Sequence, residues 1–589
     1  MMTRRRIYFV WLVAASAAAL LYLMYLTLSA GGITGIDTVI LLAFVVILPW
    51  LCIGFWNAII GFLISVFARN PLAVVNPAAA QVPDDLPLTT STALLLCIRN
   101  EMPARLVRNL DAMMRGLAQS GEGSKFHAYV LSDTTDHQIA EQERIAFEQL
   151  AVTWQDQIAL TYRRREINTG YKAGNIKDFC DRWGAQHDFA LVLDADSFMS
   201  ATAMLRLVRI MQANPTMGIL QSLVVGLPST SAFTRIFQFG MRLGMRSYTM
   251  GGAWWQGDCG PYWGHNAVLR LAPFMQSCEM PVLKGRKGQD KHILSHDQLE
   301  AVLMRRAGYE VRVYPFEEGS WEENPPTLTD FLGRDLRWCA GNMQYTRLLG
   351  LPGLKPTSRI QLLLAVLMFT GAPAWITLIA AFSVMIGTTY NINRVINLGP
   401  GLTLFVMLLV VIFLPKFTSA IEVLFRASSR RGFGGSIRFM SALAIETVFS
   451  MVLTSIMWLS QTVFLTGLLF GKNITWSGQT RDDHVVSFWQ ATRSYGLHFV
   501  VGALLIWPLV QWHTEAIPFA LVYVGGLLVA IPLAMVTSWP SVGLFFKRLH
   551  WFGLPEEFNT PTVLKELAIP ALSDQDFRSP AAPPLSSGG

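Results

Sequence analysis

Residues 189–196 read Phe-Ala-Leu-Val-Leu-Asp-Ala-Asp, an apolar run that ends in two acids one residue apart. A short continuous apolar run bounded by polar residues is the pattern of a buried strand. Asp194 and Asp196 are then the residues at which that strand emerges. Two carboxylates at a strand end leave room for a divalent cation and a diphosphate to share them, and hard oxygen ligands suit magnesium or manganese. Taken alone, D-x-D is short and reads equally well as a solvated strand end with two turn-forming acids. Its surroundings decide between the two.

Those surroundings are the one long polar stretch of an otherwise apolar chain. Of 589 residues, 52% are hydrophobic and 15% charged, an apolar excess too great for an ordinary soluble protein. The excess is concentrated in runs at Ile7–Leu28, Val39–Phe67, Leu362–Ile386, Leu402–Leu424, Phe439–Phe470, His498–Val510 with its flanks, and Ile517–Met535. Most are long enough to cross a hydrocarbon core of roughly 30 Å as helices. This divides the chain into a helix pair (1–69), a polar α/β domain ending in interfacial helices (70–358), a second membrane region (359–540) and a tail (541–589), disordered from about residue 573 where Ser, Pro and Gly dominate.

Basic residues set the expected orientation. Arg4, Arg5 and Arg6 precede the first run, which puts the N-terminus and, two crossings later, the polar domain in the cytoplasm. The Leu28-Ser-Ala-Gly-Gly sequence also fits a cleavable signal peptide, but a second apolar run follows almost at once, and a signal anchor is the better reading. Arginines at 426, 430, 431 and 438, at 481 and 493, and Lys547 with Arg548 mark three further cytoplasmic loops. Their parity forbids a single crossing by Phe439–Phe470. That run is expected to lie in the interface plane, to be re-entrant, or to cross twice, giving six to eight crossings with both termini inside. Net charge is +7, but the basic excess sits beside apolar segments, so lipid headgroups explain it and nucleic acid is not implied. The six cysteines show no zinc or redox spacing and are expected as free thiols.

Within the polar domain, strand-like runs at Thr92–Ile98, Ala128–Leu131, Ile158–Tyr162, Phe189–Leu193, Gly218–Val225 and Val311–Tyr314 alternate with helical patterns. Such alternation predicts a mainly parallel sheet with ligands at the strand C-termini. Polar residues stand at those ends: Asn100-Glu101 after the first strand, Asp133 after the second, Asp194 and Asp196 after the fourth. Singly, Asn100, Glu101 and Asp133 read as helix caps or first-turn acids. Together they point to a nucleotide site. In Gly170-Tyr-Lys-Ala-Gly-Asn175 the glycines permit close backbone approach and Lys172 can reach diphosphate oxygens, whereas the absence of G-x-x-x-x-G-K-[ST] argues against ATP hydrolysis. Trp254–Asn266, rich in Trp, Gly and Pro, suits sugar faces or a membrane interface, and His265 has no second His or Cys at metal-ligand spacing. Asp297, in Ser-His-Asp at a helix start, is a general base or an N-cap. Adjacent residues point apart, which weakens a dyad with His296. Arg334, Arg337 and Trp338 suit a diphosphate clamp and a sugar platform, or a juxtamembrane helix with snorkelling arginines.

In order, these segments resemble the processive, membrane-integrated, inverting family-2 glycosyltransferases of the cellulose synthase type. The resemblance covers about Leu94 to Gln344 and rests on N-E, an Asp after strand two, K-A-G-N, D-x-D, G-x-N-A-V, an Asp at a helix start and R-x-x-R-W. Ser-His-Asp in place of T-E-D, Arg334 in place of the usual Gln, and His-Asn-Ala-Val-Leu-Arg (265–270) are similar to the branch that serves osmoregulated periplasmic glucan synthesis. Trp476–Asp483 occupies the place of the gating loop without its F-x-V-T sequence.

The resemblance implies a polytopic helical membrane protein of the bacterial inner membrane, carrying an inserted cytoplasmic GT-A-type domain. It implies UDP-glucose as donor, a growing β-linked glucan, in that branch β-1,2, as acceptor, and export of the product. Asn100, Glu101 and Asp133 would hold uridine, with Lys172 and Asp194 at the diphosphate and Asp194 and Asp196 at magnesium or manganese. Trp263, His265 and Asn266 would line the substrate site. Asp297 would be the base, Arg334 and Arg337 would meet the leaving diphosphate, and Trp338 would floor the acceptor site. Periplasmic glucan-modifying proteins and acyl carrier protein are partners by the same resemblance. Synthesis of another β-glycan such as cellulose, transfer of a single sugar to a lipid phosphate, and a non-enzymatic transporter or scaffold are the competing readings.

Overall fold

The computed structural model describes residues 2–285, 290–471 and 482–567. Two apolar helices open the chain, α1 (Met2–Leu28) and α2 (Gly35–Phe67), the second started by a Thr34–Asp37 capping box. The polar domain follows, built on a seven-stranded sheet: β1 (Thr92–Ile98), β2 (Phe126–Ser132), β3 (Ala159–Arg164), β4 (Phe189–Asp194), β5 (Met217–Ser222), β6 (Ala267–Arg270) and β7 (Glu310–Tyr314). Across the sheet the order is β7-β5-β6-β4-β1-β2-β3.

All neighbours are parallel except those of β6, which runs antiparallel to β4 and β5. The expected mainly parallel sheet is therefore present with one strand added. Ala267–Arg270, read from sequence only as part of a motif in a loop, supplies it. Alternate residues of β1 and β4 feed two cores. Leu94, Leu96, Leu191 and Leu193 face one layer of helices, and Ala93, Leu95, Ala190 and Val192 the other.

The second layer contains α3 (Tyr171–Trp183) and α5 (Asp297–Arg306). Between them in sequence runs α4 (Ala232–Gln256), and the domain closes with α6 (Leu328–Gln344). Then come α7 (Pro356–Gly387), α8 (Leu398–Phe425), α9 (Ser436–Leu469), α10 (Phe488–Trp512) and α11 (Ile517–Ser538). Among the described residues seven helices, α1, α2 and α7 to α11, are long and apolar enough to cross a membrane.

The join between polar and apolar parts is direct. Leu362 and Val366 of α7 lie in the same core as β1 and β4. Helix α4 meets α2 backbone to backbone: a Cβ on Gly251 would stand 2.0 Å from the Asn57 carbonyl oxygen, and one on Gly61 would stand 1.8 Å from that of Ser247. Trp255 Nε1 donates to Asn57 Oδ1 across the same contact at 2.9 Å. On the other side of α4, Arg246 meets Glu422 of α8 at 3.3 Å.

Helix α9 is one uninterrupted helix of 34 residues, about 51 Å long at 1.5 Å per residue. A double-crossing hairpin or re-entrant turn over Phe439–Phe470 is therefore excluded by the unbroken backbone. The polar domain grips α9 near both ends. Phe439 packs on Phe239 of α4 at 5.8 Å between ring centroids, and Gln461 Nε2 donates to Asp335 of α6 at 2.7 Å. The chain beyond α9 returns to the same face, where Thr230 donates to Asp483 at 2.6 Å and His484 stands 3.5 Å from Asp330. Most of the gating-loop counterpart, residues 476–481, lies outside the described residues, as does the tail from residue 573.

Both ends of the described chain touch the polar domain. Arg6 pairs with Asp258 and donates to the Gln256 carbonyl at 2.6 Å. Residues 541–567 do not hang free as a tail: Phe552 joins the Phe239 cluster, and Leu564 enters the core beside the helix Pro103–Gln119.

Candidate active site

The carboxyl ends of β1, β2 and β4 lie side by side, and the polar residues there are held by buried pairings. Asp133, after β2, is buried and takes a bidentate pair from Arg165 at 2.8 and 2.7 Å. Arg165 also donates to the carbonyls of Thr169 and Tyr171 at 3.1 and 3.0 Å, so it folds the 165–171 turn over the β2 end. A buried carboxylate needs such a partner, since desolvation without one is costly. Asp133 is thus no helix cap. Asn100, with φ at 56°, is none either: its Oδ1 accepts from the backbone N–H of Thr135 and Asp136 at 2.9 and 3.1 Å, tying β1's end to β2's. Glu101 is half-buried beside it.

The 165–171 turn delivers Lys172 to the cleft. Gly170, at φ 76°, precedes α3 in the left-handed region, and a Cβ on Gly174 would stand 1.9 Å from the Thr169 carbonyl oxygen. Those glycines close the turn onto itself rather than opening it to a ligand. Asn175 is buried, accepting from Arg163 at 2.7 Å and donating to the Leu131 carbonyl at 2.8 Å. Lys172 Nζ pairs with Asp194 and donates to the Gly264 carbonyl at 2.5 Å. Burial alone would lower the Lys172 pKa, but the Asp194 carboxylate outweighs it and the ammonium stands above the ordinary lysine value.

Gly264 links this lysine to the next acid. Its φ is 84°, and a Cβ there would stand 3.3 Å from Cβ of Asp297. Asp297 is the first residue of α5, and His296 holds the cap position without a side-chain cap bond. The Asp297 carboxylate instead accepts from Ser295 Oγ at 3.0 Å and from Tyr345 OH at 3.5 Å. His296 points elsewhere, pairing with Glu300 at 2.9 Å. Burial lowers its pKa, but Glu300 carries it above the usual histidine value. No His296–Asp297 dyad forms. Cys97, near the same cleft, is pushed up to about 12 by burial, which removes a thiolate nucleophile.

Asp196 lies beneath, its carbonyl accepting from Glu323 N at 3.1 Å. The short strand Ser320–Glu322 pairs antiparallel with Ser197–Met199, so Glu322 stands opposite Ser197. Glu322 lies 3.6 Å from His265 Nε2. Its carboxyl is raised by burial, with His265 and Arg334 pulling it down and Asp194 and Asp196 pushing it further up. Trp263 is half-buried, its N–H donating to Gln221 Oε1 at 2.8 Å. Asn266 is fully buried and donates to Ser320 Oγ and the Trp321 carbonyl at 2.9 and 3.1 Å, so its side chain ties strands together.

Magnesium commonly takes only one or two protein carboxylates, so Asp194 and Asp196 at the end of β4 would suffice to hold a divalent cation. Among the described residues no three His, Cys, Asp or Glu side chains form a preformed cage.

On α6, Arg334 is buried, donates to Asn324 Oδ1 at 3.2 Å and lies over the Trp338 ring at 4.9 Å. Trp338 itself is 48% exposed, so part of its ring stays open to solvent beside the Arg334 guanidinium. Arg337 is half-buried one residue before it. Asp335, between the two arginines, is turned into the protein against Gln461 of α9. Burial pushes its carboxyl up to about 6.

Sequence reading missed Arg165, Glu322 and Tyr345. Arg165 was hidden in a run of three arginines that reads as a solvated loop. Glu322 stands in a strand of three residues, too short to show a period. Tyr345 follows a helix and carries no local signal.

Residues 189–417 match the family described as glycosyl transferase family group 2. Glucans biosynthesis glucosyltransferase H of Xanthomonas campestris pv. campestris is 34% identical over 580 residues, spanning 95% of this chain and 88% of that protein. The protein of the same name from Vibrio cholerae serotype O1 is 32% identical, over 97% and 80%, and that from Rhodopseudomonas palustris 33%, over 95% and 78%. Among solved structures, a mannosyltransferase from Pyrobaculum calidifontis in complex with GDP-Man and Mn2+ matches 62% of this chain and 98% of its own at 16% identity and a TM-score of 0.40.

The buried Asp335 predicts a pH signature. Its folded pKa, about 6, lies above the unfolded 3.8, so its share of stability is complete below pH 3.8 and is lost as pH rises through 6. Above that, the buried charge costs about 3 kcal/mol, at 1.36 kcal/mol per pKa unit. Asp335→Asn keeps an acceptor for Gln461 without the charge. It should raise the unfolding temperature at pH 7 in detergent and match the parent near pH 4. Parallel melting curves from pH 4 to 7 would contradict the burial of this acid.

Proposed function

Given that the chain belongs to the glucans biosynthesis glucosyltransferase H family and is a family-2 glycosyltransferase, we propose that it is a processive, inverting glucosyltransferase that takes glucose from UDP-glucose. The product is a β-linked glucan, β-1,2 in its backbone, made at the cytoplasmic face of the inner membrane and passed outward between the membrane helices. One observation carries the reading: Gly264 holds Lys172 through its carbonyl and abuts Asp297, so the diphosphate-binding lysine and the base share one turn of chain.

Asp297 takes the proton of the acceptor hydroxyl, and that oxygen attacks the anomeric carbon from the face opposite UDP. The configuration inverts from α to β without a covalent intermediate. Tyr345 and Ser295 orient the carboxylate. Lys172 meets the diphosphate, Arg334 and Arg337 face the charge that develops on it, and Trp338 stacks on the acceptor sugar. Asn100, Glu101 and Asp133 border the uridine, and Trp263 and His265 the sugar. Asp194 and Asp196 would hold a magnesium or manganese ion, which supplies charge neutralisation to the diphosphate when bound. The polar domain and both termini face the cytoplasm, α9 lies along the interface, and the other six long helices cross. Support comes from the contacts of both α9 flanks with the polar domain.

Four outcomes test this. Protein in nanodiscs with radiolabelled UDP-glucose should yield a polymer that linkage analysis reports as β-1,2-glucan. Asp297→Asn should cut its synthesis by at least about a hundredfold while calorimetry still shows UDP-glucose binding. Near-normal turnover in that variant would leave the mechanism without its base. Chelation with EDTA should stop synthesis, magnesium or manganese should restore it, and Asp196→Asn should not recover with either. Full turnover in EDTA would remove the metal. For the topology, cysteines introduced at Arg430 and Pro561 should react with an impermeant reagent only in inside-out vesicles. Labelling of either in right-side-out vesicles would break the six-crossing arrangement.

A further inference from the structure

The strand Ser320–Glu322 carries one face of the cleft, yet its central residue is held from the far end of the chain. Trp321 is buried, stacked on Phe198 of the strand it pairs with at 6.0 Å between centroids. Its Nε1 donates to Glu556 Oε1 at 3.2 Å, 235 residues away. Glu556 is itself buried in the turn Pro555–Phe558, and its other oxygen accepts from Arg242 Nη1 of α4 at 2.6 Å. Arg242 is shared with Glu317, three residues before Ser320, at 2.8 and 3.0 Å. Next to Glu556, Glu557 pairs with the fully buried Arg235 at 2.9 Å, and Arg235 also takes the Trp551 carbonyl at 3.0 Å.

A buried carboxylate between an arginine and an indole N–H has both oxygens committed, and removing one partner leaves the other desolvated and unpaired. The neighbours of Trp321 on its own strand reach the cleft. Ser320 accepts from Asn266 at 2.9 Å, Glu322 stands 3.6 Å from His265, and Glu323 N donates to the Asp196 carbonyl at 3.1 Å.

We propose that Glu556 is a positioning residue for the glycosyl transfer, acting through Trp321 to hold the Ser320–Glu323 edge against Asp196 and His265. This rests on the site described above. The described C-terminal residues 541–567 are thereby part of the frame that holds the site.

The test uses the full chain in nanodiscs, with rates expressed per folded protein. Trp321→Phe keeps an aromatic ring beside Phe198 and the Arg242–Glu556 pair, and removes the N–H together with part of the indole's volume. Trp321→Phe and Glu556→Ala should each lower kcat about tenfold with the UDP-glucose KM changed less than about twofold, because the uridine end lies at β1 and β2. The double variant should also fall about tenfold, not a hundredfold, because one contact is lost in all three. A normal kcat in Trp321→Phe, or multiplicative losses in the double variant, would overturn the proposal. A second measurement is independent of the donor. In substrate-free protein, hydrogen exchange at Glu322 and Glu323 should quicken at least about tenfold in Glu556→Ala, and unchanged exchange there would also overturn it. Parent protein inert toward UDP-glucose overturns the donor assignment instead, and the exchange result still decides this one.

Discussion

The Lys172 ammonium is the point on which the cleft depends. It has three donors and no acceptor, and it spends two of them on Asp194 and on the Gly264 carbonyl. Those two partners belong to the end of β4 and to the aromatic loop before β6, segments 70 residues apart. Without a cation between them, a half-buried carboxylate and a carbonyl dipole would face each other across a gap of low dielectric. The turn that presents Lys172 is in turn held by Arg165 on Asp133. Sheet pairing and a shared apolar core bring the ends of β2 and β4 and the 257–266 loop together, and charge pairing fixes the polar side chains there.

The same rule governs the seam between the polar domain and the membrane region. Helix α4 touches α2 through glycines, too close for any side chain, and offers its arginines to three different elements. Arg246 reaches α8, Arg242 reaches the chain before Ser320 and the C-terminal turn, and Arg235 reaches that turn again. Arg235 and Arg242 are buried with carboxylate partners, two in the case of Arg242, and displacing either would leave a buried charge unmet. The consequence is a rigid floor beneath the sheet, in which the first and last described segments are both anchored.

Helix α6 shows how one stretch serves both purposes. Arg334 and Trp338 lie against each other one turn apart, and Trp338 keeps an open face, while Asp335 turns the other way into α9. The two faces of α6 are thus set within little more than one helical turn, Arg334 to Trp338.

Much of this was legible in the chain itself. Apolar runs of membrane length, strand-like runs ending in Asn100, Asp133 and Asp194, and the R-x-x-R-W spacing are local patterns. They report the helices, six of the seven sheet strands and the end of the sheet at which acids gather, because backbone periodicity and burial act over a few residues. What tertiary structure alone decided was partnership. Whether Asp297 caps a helix or faces the cleft, whether Asn266 lines the site or ties Ser320 in place, and whether Arg165 is solvated or buried on Asp133 depend on residues that are distant in sequence. So does the bond from Glu556 to Trp321, which no periodicity foreshadows. A buried polar group must find its partner wherever the fold brings one, and that choice is made by packing across the whole molecule, not by the residues on either side.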